Sequence, residues 1–320
     1  MQNEVIAILC ADIHLSHTPP VWRSAEPDWC AAMQRPLDEI AELQKKYKCT
    51  VLCAGDIYDK WNSPAELINF AMDNLSRLNM YSIPGQHDLP NHNISELEKS
   101  AYETLSKADA ILDVAYSDRC PSIINSRCTL SAFPFSTEIK PLPEVYDKKN
   151  VVNIALVHQY VCTYKSDYPG APKKSHVKYI KANTKLINGK LYGYDVIVFG
   201  DNHKGFHTCV GKTIIWNCGT LMRRKSDEID YKPKVGLLFS NGVVEPYYLD
   251  QSQDKYLSPE QTKKLMELSA ADFKKFAKEL SELGDSELDF QETWKFYVLK
   301  NNVSKEIDDI VWNAMTKESK

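Results

Sequence analysis

Five short apolar runs each lead into side chains of the kind that bind metal ions. Val5–Leu9 is followed by Asp12 and His14, Val51–Cys53 by Asp56 and Asp59, Tyr81–Ile83 by Gln86, His87 and Asp88, Val152–Val157 by His158, and Val196–Phe199 by Asp201 and His203. Runs of this length and composition form buried strands. Strands that share a sheet bring the residues just past their carboxyl ends to one edge, where open α/β sheets place their sites. The pattern therefore constrains fold and chemistry together, toward a sheet edge carrying one polynuclear metal centre.

The bulk composition leaves room for such a core. At 320 residues, 43% hydrophobic and 26% charged, the chain is long and apolar enough for one large core or two domains. Neither a basic segment leading into an apolar one at the amino terminus nor an apolar stretch of about 18 residues is present, so a cytoplasmic location is expected and a membrane partner is not. The nine cysteines show no spacing of a disulfide framework and are expected to be reduced thiols. Cys10 and Cys53 fall within strands, where small packing residues are needed.

Strand 5–11 leads into helical sequence from about 36 to 47, strand 50–54 into a helix from about 64 to 78, and strand 80–84 into one from about 95 to 107. This β-α-β alternation predicts a largely parallel sheet. Ser63, Pro64 and Glu66 predict the start of the second helix as an N-cap, a first-turn proline and a capping box. From about 122 the pattern shifts to strands, at 128–133, 151–158, 195–200, 213–218, 235–239 and 243–249, which predicts a second, mixed sheet packed on the first. After Asp250 the sequence turns charged and helical, with a capping box at Ser258 to Gln261, an apolar face from Ala270 to Leu283, and a last helix opening near Ser304. The domains read as 1–250, the catalytic body, and 251–320, a helical extension.

Aspartate, histidine and amide oxygens without cysteine suit manganese, iron or other borderline-hard divalent ions better than structural zinc. Two such ions about 3.5–4 Å apart can share a carboxylate and stabilise both the attacking and the leaving oxygen of a displacement at phosphorus. Phosphoester hydrolysis is the expected use.

Taken together, Asp12-Ile13-His14, Gly55-Asp56-Ile57-Tyr58-Asp59, Gly85-Gln86-His87-Asp88, His158 and Gly200-Asp201-Asn202-His203 resemble the five-motif pattern of the calcineurin-like metallophosphoesterases. Within that superfamily, Leu15, Gln159 and the stretch Asn217 to Arg224 are similar to the SbcD-type DNA repair nucleases, particularly smaller phage-encoded forms. The resemblance implies an α/β fold, a four-layer αββα sandwich of two mixed β-sheets with a short helical C-terminal extension. It implies two divalent metal ions, Mn foremost with Fe or Mg as alternatives. One would be held by Asp12, His14, Asp56 and His203, and the other by the shared Asp56 with Gln86, His158 and Asp201. His87 would protonate the leaving oxygen, with Asp59 orienting it, while the dinuclear centre activates a hydroxide. Gln86 stands where the family usually has Asn, and Asp201 where it usually has His. Both departures fall on the second ion, whose site becomes richer in oxygen and shifts away from zinc. Asp201 either joins the ligands or points away.

The substrate is less constrained. Net charge is −4, yet Lys165, Lys173, Lys174, Lys178, Lys181, Lys185 and Lys190 form a run broken only by Asp167, with Tyr164, Tyr168 and Tyr179 interleaved. Lysines and tyrosines placed near the metal edge can track a phosphate backbone and stack on unpaired bases, although such a run also serves as a solvated helix face. Lys173, Lys174, Lys178, Arg223 and Arg224 are the candidate substrate contacts. The first expectation is a DNA exo- or endonuclease of recombination or repair, with DNA and an SbcC-like SMC-type ATPase as partners and a homodimer left open. The alternatives are a phosphoesterase for a cyclic nucleotide or phosphomonoester, and a non-catalytic scaffold on the same fold.

Overall fold

The computed structural model of the chain describes residues 3–115, 122–125, 127–146, 151–165, 167, 168, 170–258 and 260–264, and 290–311 except 302, 306 and 310. The chain divides into two compact units, Met1–Leu257 and Ser258–Lys320.

In the first unit the strands, in chain order, are β1 (Val5–Cys10), β2 (Thr50–Cys53), β3 (Met80–Ser82), β4 (Leu112–Asp113), β5 (Ser122–Asn125), β6 (Cys128–Phe133), β7 (Val152–His158), β8 (Leu186–Ile187), β9 (Lys190–Leu191), β10 (Val196–Gly200), β11 (Phe206–Val210), β12 (Thr213–Asn217), β13 (Lys234–Phe239) and β14 (Val244–Tyr248). One sheet runs β14-β13-β1-β2-β3-β4 and the other β11-β12-β10-β7-β6-β5, with β8 and β9 forming a small hairpin. In the first, β1 to β4 are parallel and β13 and β14 antiparallel. In the second, β12, β10, β7 and β6 are parallel and the outer strands antiparallel. Every candidate metal-ligand motif thus follows a strand from the parallel centre of a sheet.

Helices α1 (Trp29–Tyr47), α2 (Ala65–Leu75) and α3 (Ala101–Lys107) cover the first sheet, and α4 (Val177–Asn183) covers the second. Alternation along the strands sorts their side chains between layers. Ile8, Cys10, Val51 and Cys53 pack beneath Met33, Leu37, Ala71, Leu75 and Tyr102 of the helices. Leu9, Leu52 and Ile83 meet Leu130, Ile154, Leu156, Val198 and Trp216 between the sheets. Val157, Ile197 and Phe199 face Val177 and Ile180 of α4. The four-layer αββα arrangement of two mixed sheets is therefore present.

Some local expectations differ. Helix α1 begins at Trp29, capped by Asp28, whose carboxylate accepts from the Ala31 N–H at 2.9 Å, and it carries Pro36 in its interior instead of starting there. Helix α2 begins at Ala65 with Pro64 in the cap position, and the Ser63 hydroxyl donates to the Lys60 carbonyl instead of capping. Strand β11 was hidden in the sequence because an edge strand leaves alternate residues, such as His207 and Cys209, exposed. Residues 251–257, assigned by composition to the extension, are held in the first unit. Fully buried Arg23 donates to Glu26 at 2.6 Å, to Asp254 at 3.1 Å and to the Arg223 carbonyl at 3.0 Å, and lies over the rings of Trp29 and Tyr256. Arg35 completes the network with Glu26 and Asp254.

In the second unit Ser258 and Gln261 form the expected reciprocal cap, through Ser258 N–H to Gln261 Oε1 at 2.8 Å and Gln261 N–H to Ser258 Oγ at 3.2 Å. The apolar face expected over 270–283 lies outside the described residues, as do Ile310, Ala314 and Met315 of the helix expected to open near Ser304. A helix at Phe290–Asn301 was not expected, and its buried Trp294 donates to Asp308 at 2.6 Å.

Removal of Arg23 leaves Glu26 and Asp254 with only one of their two cations, the partly exposed Arg35. Arg23→Ala is expected to lower the stability of the protein by about 3–5 kcal/mol, read as a shift in the denaturant midpoint. A change within experimental error would mean the network contributes nothing to the fold.

Candidate metal centre

Strand register brings the motifs into line before any side chain is considered. Cys10 pairs with Cys53, Cys53 with Ser82, and His158 with Gly200, so the strands within each sheet end level with one another. The loops beyond are then laced together by backbone bonds, Asp12 N–H to the Gly55 carbonyl at 2.9 Å and His14 N–H to the Asp56 carbonyl at 3.0 Å. Asp12, His14, Asp56 and Asp201 all adopt positive φ, of 51°, 49°, 55° and 80°. Left-handed backbone costs a residue with a Cβ about 1–2 kcal/mol, and four such residues at one edge mark a conformation held by its surroundings for the sake of the site.

Asp12, His14, Asp56 and His158 are all buried. Candidate ligand atoms of Asp12, Asp56 and His158 lie within 4.8 Å of one another, and so do those of His14, Asp56 and His87. Asp56 belongs to both groups, the position of a bridging ligand. The Nε2 atoms of His14 and His203 converge to 2.9 Å, and His14 Nε2 is 3.7 Å from Asp56 Oδ2. On the other side His158 Nε2 lies 3.4 Å from Asp56 Oδ2 and 3.2 Å from Gln86 Oε1, while the Gln86 amide donates to Asp201 Oδ1 at 2.8 Å. Asp201 therefore points inward, to Gln86. The backbone N–H of Asp201 also donates to Asp12 Oδ1 at 2.9 Å, joining the two halves.

The surrounding residues fix the ring nitrogens. His158 Nδ1 donates to the Ala54 carbonyl at 2.6 Å, which leaves Nε2 facing the site. His203 Nδ1 lies 3.6 Å from Glu228, a buried carboxylate that also accepts from the Arg224 N–H at 2.6 Å and the Lys225 N–H at 3.1 Å. Glu228 escaped the sequence reading because it sits in a short turn with no apolar run before it. Asp88, grouped with the motif residues by sequence, is a clamp: its buried carboxylate accepts from the N–H groups of Ile57 at 3.2 Å, Tyr58 at 2.9 Å and Gly85 at 2.9 Å, tying the loop after β2 to the loop after β3. Gly85 makes that approach possible, since a Cβ there would lie 2.1 Å from Asp56 Oδ1 and 2.6 Å from the His158 ring.

Three expectations need correction. His87 Nδ1 meets the backbone carbonyl of Asp59 at 2.9 Å, and the Asp59 carboxylate pairs instead with Arg224 at 2.8 Å and lies 3.6 Å from His14 Nδ1. Asp59 thus places His87 through its main chain. Arg224 is 8% exposed and committed to Asp59, so it is part of the frame of the site and is not a free phosphate contact. Arg223 is similarly engaged, donating through Nε to the Tyr231 carbonyl at 2.6 Å with its guanidinium over the Tyr256 ring. Lys173, Lys174 and Lys178 are exposed around α4, and the Lys178 ammonium sits 4.4 Å from the centre of the Tyr164 ring. His17 pairs with Glu66 at 2.7 Å, and His92 lies with its ring 6.5 Å from that of His87.

The electrostatics show what the site lacks. Asp12 Oδ2, Asp56 Oδ2 and His14 Nδ1 are buried without a hydrogen-bond partner, a costly state for a carboxylate oxygen in a low-dielectric interior. Burial pushes Asp12 up to about 6. Burial also opposes ionisation of Asp56, but His158 outweighs it and holds Asp56 below the usual carboxylate range. Burial alone would depress His158, yet Asp56, followed by Asp12 and Asp201, pushes it up to about 10. Burial, Arg224 and His203 drive His14 well below the ordinary imidazole value, leaving it neutral as a ligand must be. The oxygens and ring nitrogens converge with unmet acceptor capacity and no thiolate among them, which fits divalent ions of the manganese, iron or magnesium type.

A family model described as calcineurin-like phosphoesterase matches residues 7–205. Similar solved structures include a novel archaeal phosphodiesterase, with 12% identity over 78% of this chain and 96% of that one at a TM-score of 0.34. Others are the phosphopantetheinyl hydrolase PptH from Mycobacterium tuberculosis, with 12% identity over 79% and 99% at 0.41, and the calcineurin-like phosphoesterase YfkN from Bacillus subtilis, with 12% identity over 87% and 100% at 0.42. Likenesses this distant carry no argument about substrate. No curated protein matches the sequence. No described helix is long and apolar enough to cross a membrane.

A cation entering this site has to displace the proton that Asp56 and its neighbours hold on His158. Below a folded pKa of about 10 metal uptake releases that proton, so affinity is present at high pH and lost as pH falls. Calorimetric titration with Mn²⁺ is expected to show the dissociation constant falling up to about tenfold per pH unit between pH 6.5 and 9, with about one proton released per site. A constant independent of pH across that range would contradict this placement of His158.

Proposed function

This chain belongs to the calcineurin-like phosphoesterase family, whose members use a dinuclear metal centre, and from that premise we propose that it is a manganese-dependent phosphodiesterase acting on DNA, an exo- or endonuclease of recombination or repair. The supporting observation is chain continuity. His158 is the last residue of β7, and the chain runs from it directly into the segment of Tyr160, Tyr164, Tyr168, Lys173, Lys174, Lys178 and Tyr179. Tyr160 feels the charge of Asp201 and packs edge-on against Tyr168 with ring centres 5.2 Å apart. Cationic and aromatic side chains that start two residues from a candidate metal ligand suit a phosphate backbone with unstacked bases.

In this reading Asp12, His14, Asp56 and His203 would hold one ion, and Asp56, Gln86 and His158 the other, with Asp201 fixing the Gln86 amide. When bound, the two ions polarise the phosphoryl oxygens and lower the pKa of water. The residues of the chain orient and move protons. A carbonyl only accepts, so the Asp59 contact keeps the proton of His87 on Nδ1, and Nε2 is the atom that exchanges a proton with the leaving oxygen. Arg224 holds the Asp59 carboxylate in place. A placed proton donor is of no use to a scaffold, which favours a catalytic role. The expected partner, an SbcC-like SMC-type ATPase, belongs to the same proposal.

His87→Ala is expected to keep its manganese and lose turnover on linear single-stranded DNA by about 10²–10⁴, measured beside bis-p-nitrophenyl phosphate and duplex DNA. Hydrolysis of the small diester with no cleavage of either DNA would replace the nuclease reading with a small-substrate phosphoesterase. Wild-type protein that binds manganese and hydrolyses nothing would point to the scaffold.

A further inference from the structure

Beside the metal edge lies a cavity of about 250 Å³ whose lining includes Gln159, Tyr160, Lys174, Tyr179, Asn183 and Phe199. Two of its walls come from the strand ends that carry the second candidate metal site. Gln159 and Tyr160 directly follow His158 at the end of β7, and Phe199 stands two residues before Asp201 in β10. The opposite side is α4, which contributes Tyr179 and Asn183. On the other flank of this helix a wider, shallower hollow of about 600 Å³ is lined by Tyr164, Lys173, His176 and Lys178, and it shares Tyr179 and Asn183 with the first.

We propose that the smaller cavity receives a single unpaired nucleobase, next to the phosphate that reacts, and that the enzyme thereby selects unpaired strand. This rests on the phosphodiesterase reading above and adds to it a site for the base. The size fits one base: drug-sized ligands occupy cavities of about 300–1,000 Å³, and this one is smaller. The lining fits its chemistry. Aromatic rings offer a stacking face to any base, the Gln159 and Asn183 amides offer a donor and an acceptor each for a polar base edge, and Lys174 adds a cation for a flanking phosphate. Position fits too, because residues one and two positions from His158 line the cavity. A phosphate at the metals and a base against Tyr160 then belong to one nucleotide. A base still paired and stacked in duplex cannot turn into such a cavity without being extruded. The wider hollow beyond α4, with its two lysines, gives the continuing strand a cationic surface.

The test uses the full-length, manganese-loaded protein and two chromogenic diesters with the same leaving group, thymidine 5′-(p-nitrophenyl phosphate) and its abasic counterpart 1,2-dideoxyribose 5-(p-nitrophenyl phosphate), which differ only in the base. The ratio of their kcat/KM values is expected to favour the thymidine ester by about tenfold or more, the size of one base stack on an aromatic side chain. Asn183→Trp, which plugs the cavity from the exposed surface of α4, and Tyr179→Ala, which removes a wall, are each expected to bring the ratio close to one. Manganese uptake by the variants reports that the fold is intact. In competition, a single-stranded oligonucleotide is expected to inhibit more strongly than a blunt hairpin of the same length. A wild-type ratio near one, or a ratio that neither variant moves, overturns the base site while leaving the phosphodiesterase reading standing. If neither ester is hydrolysed by the manganese-bound protein, that reading fails by itself. The cavity is then judged by binding of thymidine 5′-monophosphate against deoxyribose 5-phosphate: preference for the nucleotide that Asn183→Trp abolishes supports it, and equal binding overturns it.

Discussion

Everything at this site follows from carboxylates forced into the protein interior without enough hydrogen-bond donors. Asp12 and Asp56 are fully buried, and each keeps one oxygen with no partner, although the other oxygen accepts a backbone N–H. Such an arrangement is unstable as a set of bare charges. Without a cation it is relieved at neutral pH by the proton on His158, pushed up to about 10, and by one on Asp12 only as pH falls to about 6. Divalent cations relieve it better, because one ion can satisfy several oxygens and ring nitrogens at once. Asp56, which belongs to both ligand groups, is the residue through which two ions would sense each other.

The frame that imposes this burial is made of ordinary parts in unusual backbone. Parallel registers align the strand ends, Asp88 clamps two loops through three N–H groups, and the close approach at Gly85 lets the His158 ring reach Asp56. Four site residues with positive φ then aim their side chains across the edge. A shell of charge stands behind them: Glu228 beside His203, Arg224 on Asp59, and the Asp59 carbonyl on His87. The shell matters because a ligand imidazole is useful only with the correct nitrogen presented.

The order of apolar runs and their acidic or imidazole endings was legible because buried strands need continuous apolar sequence and leave their polar residues at the ends. That logic placed the candidate ligand motifs at the strand ends of two packed sheets, and the family resemblance supplied the four-layer arrangement. It could not locate what depends on tertiary contact. Glu228 and the clamp role of Asp88 have no local signature, since their partners come from other loops. Arg224 was expected to meet substrate because a run of basic residues looks solvated, whereas in the fold Asp59 draws it inside. Helix ends were misplaced where local rules compete: Pro36 suits a first turn, yet Asp28 supplies the cap about two turns earlier. Gln86 and Asp201, the two departures from the family pattern, compensate one another, since the longer amide reaches both the His158 ring and the Asp201 carboxylate.

The most direct measurement is anomalous diffraction from crystals soaked in manganese. Two peaks about 3.5–4 Å apart, with Asp56 between them, His14 and His203 on one and His158 and Gln86 on the other, are the predicted result. A well-ordered, undisturbed site with no anomalous density, or a single ion held without Asp56, would contradict it.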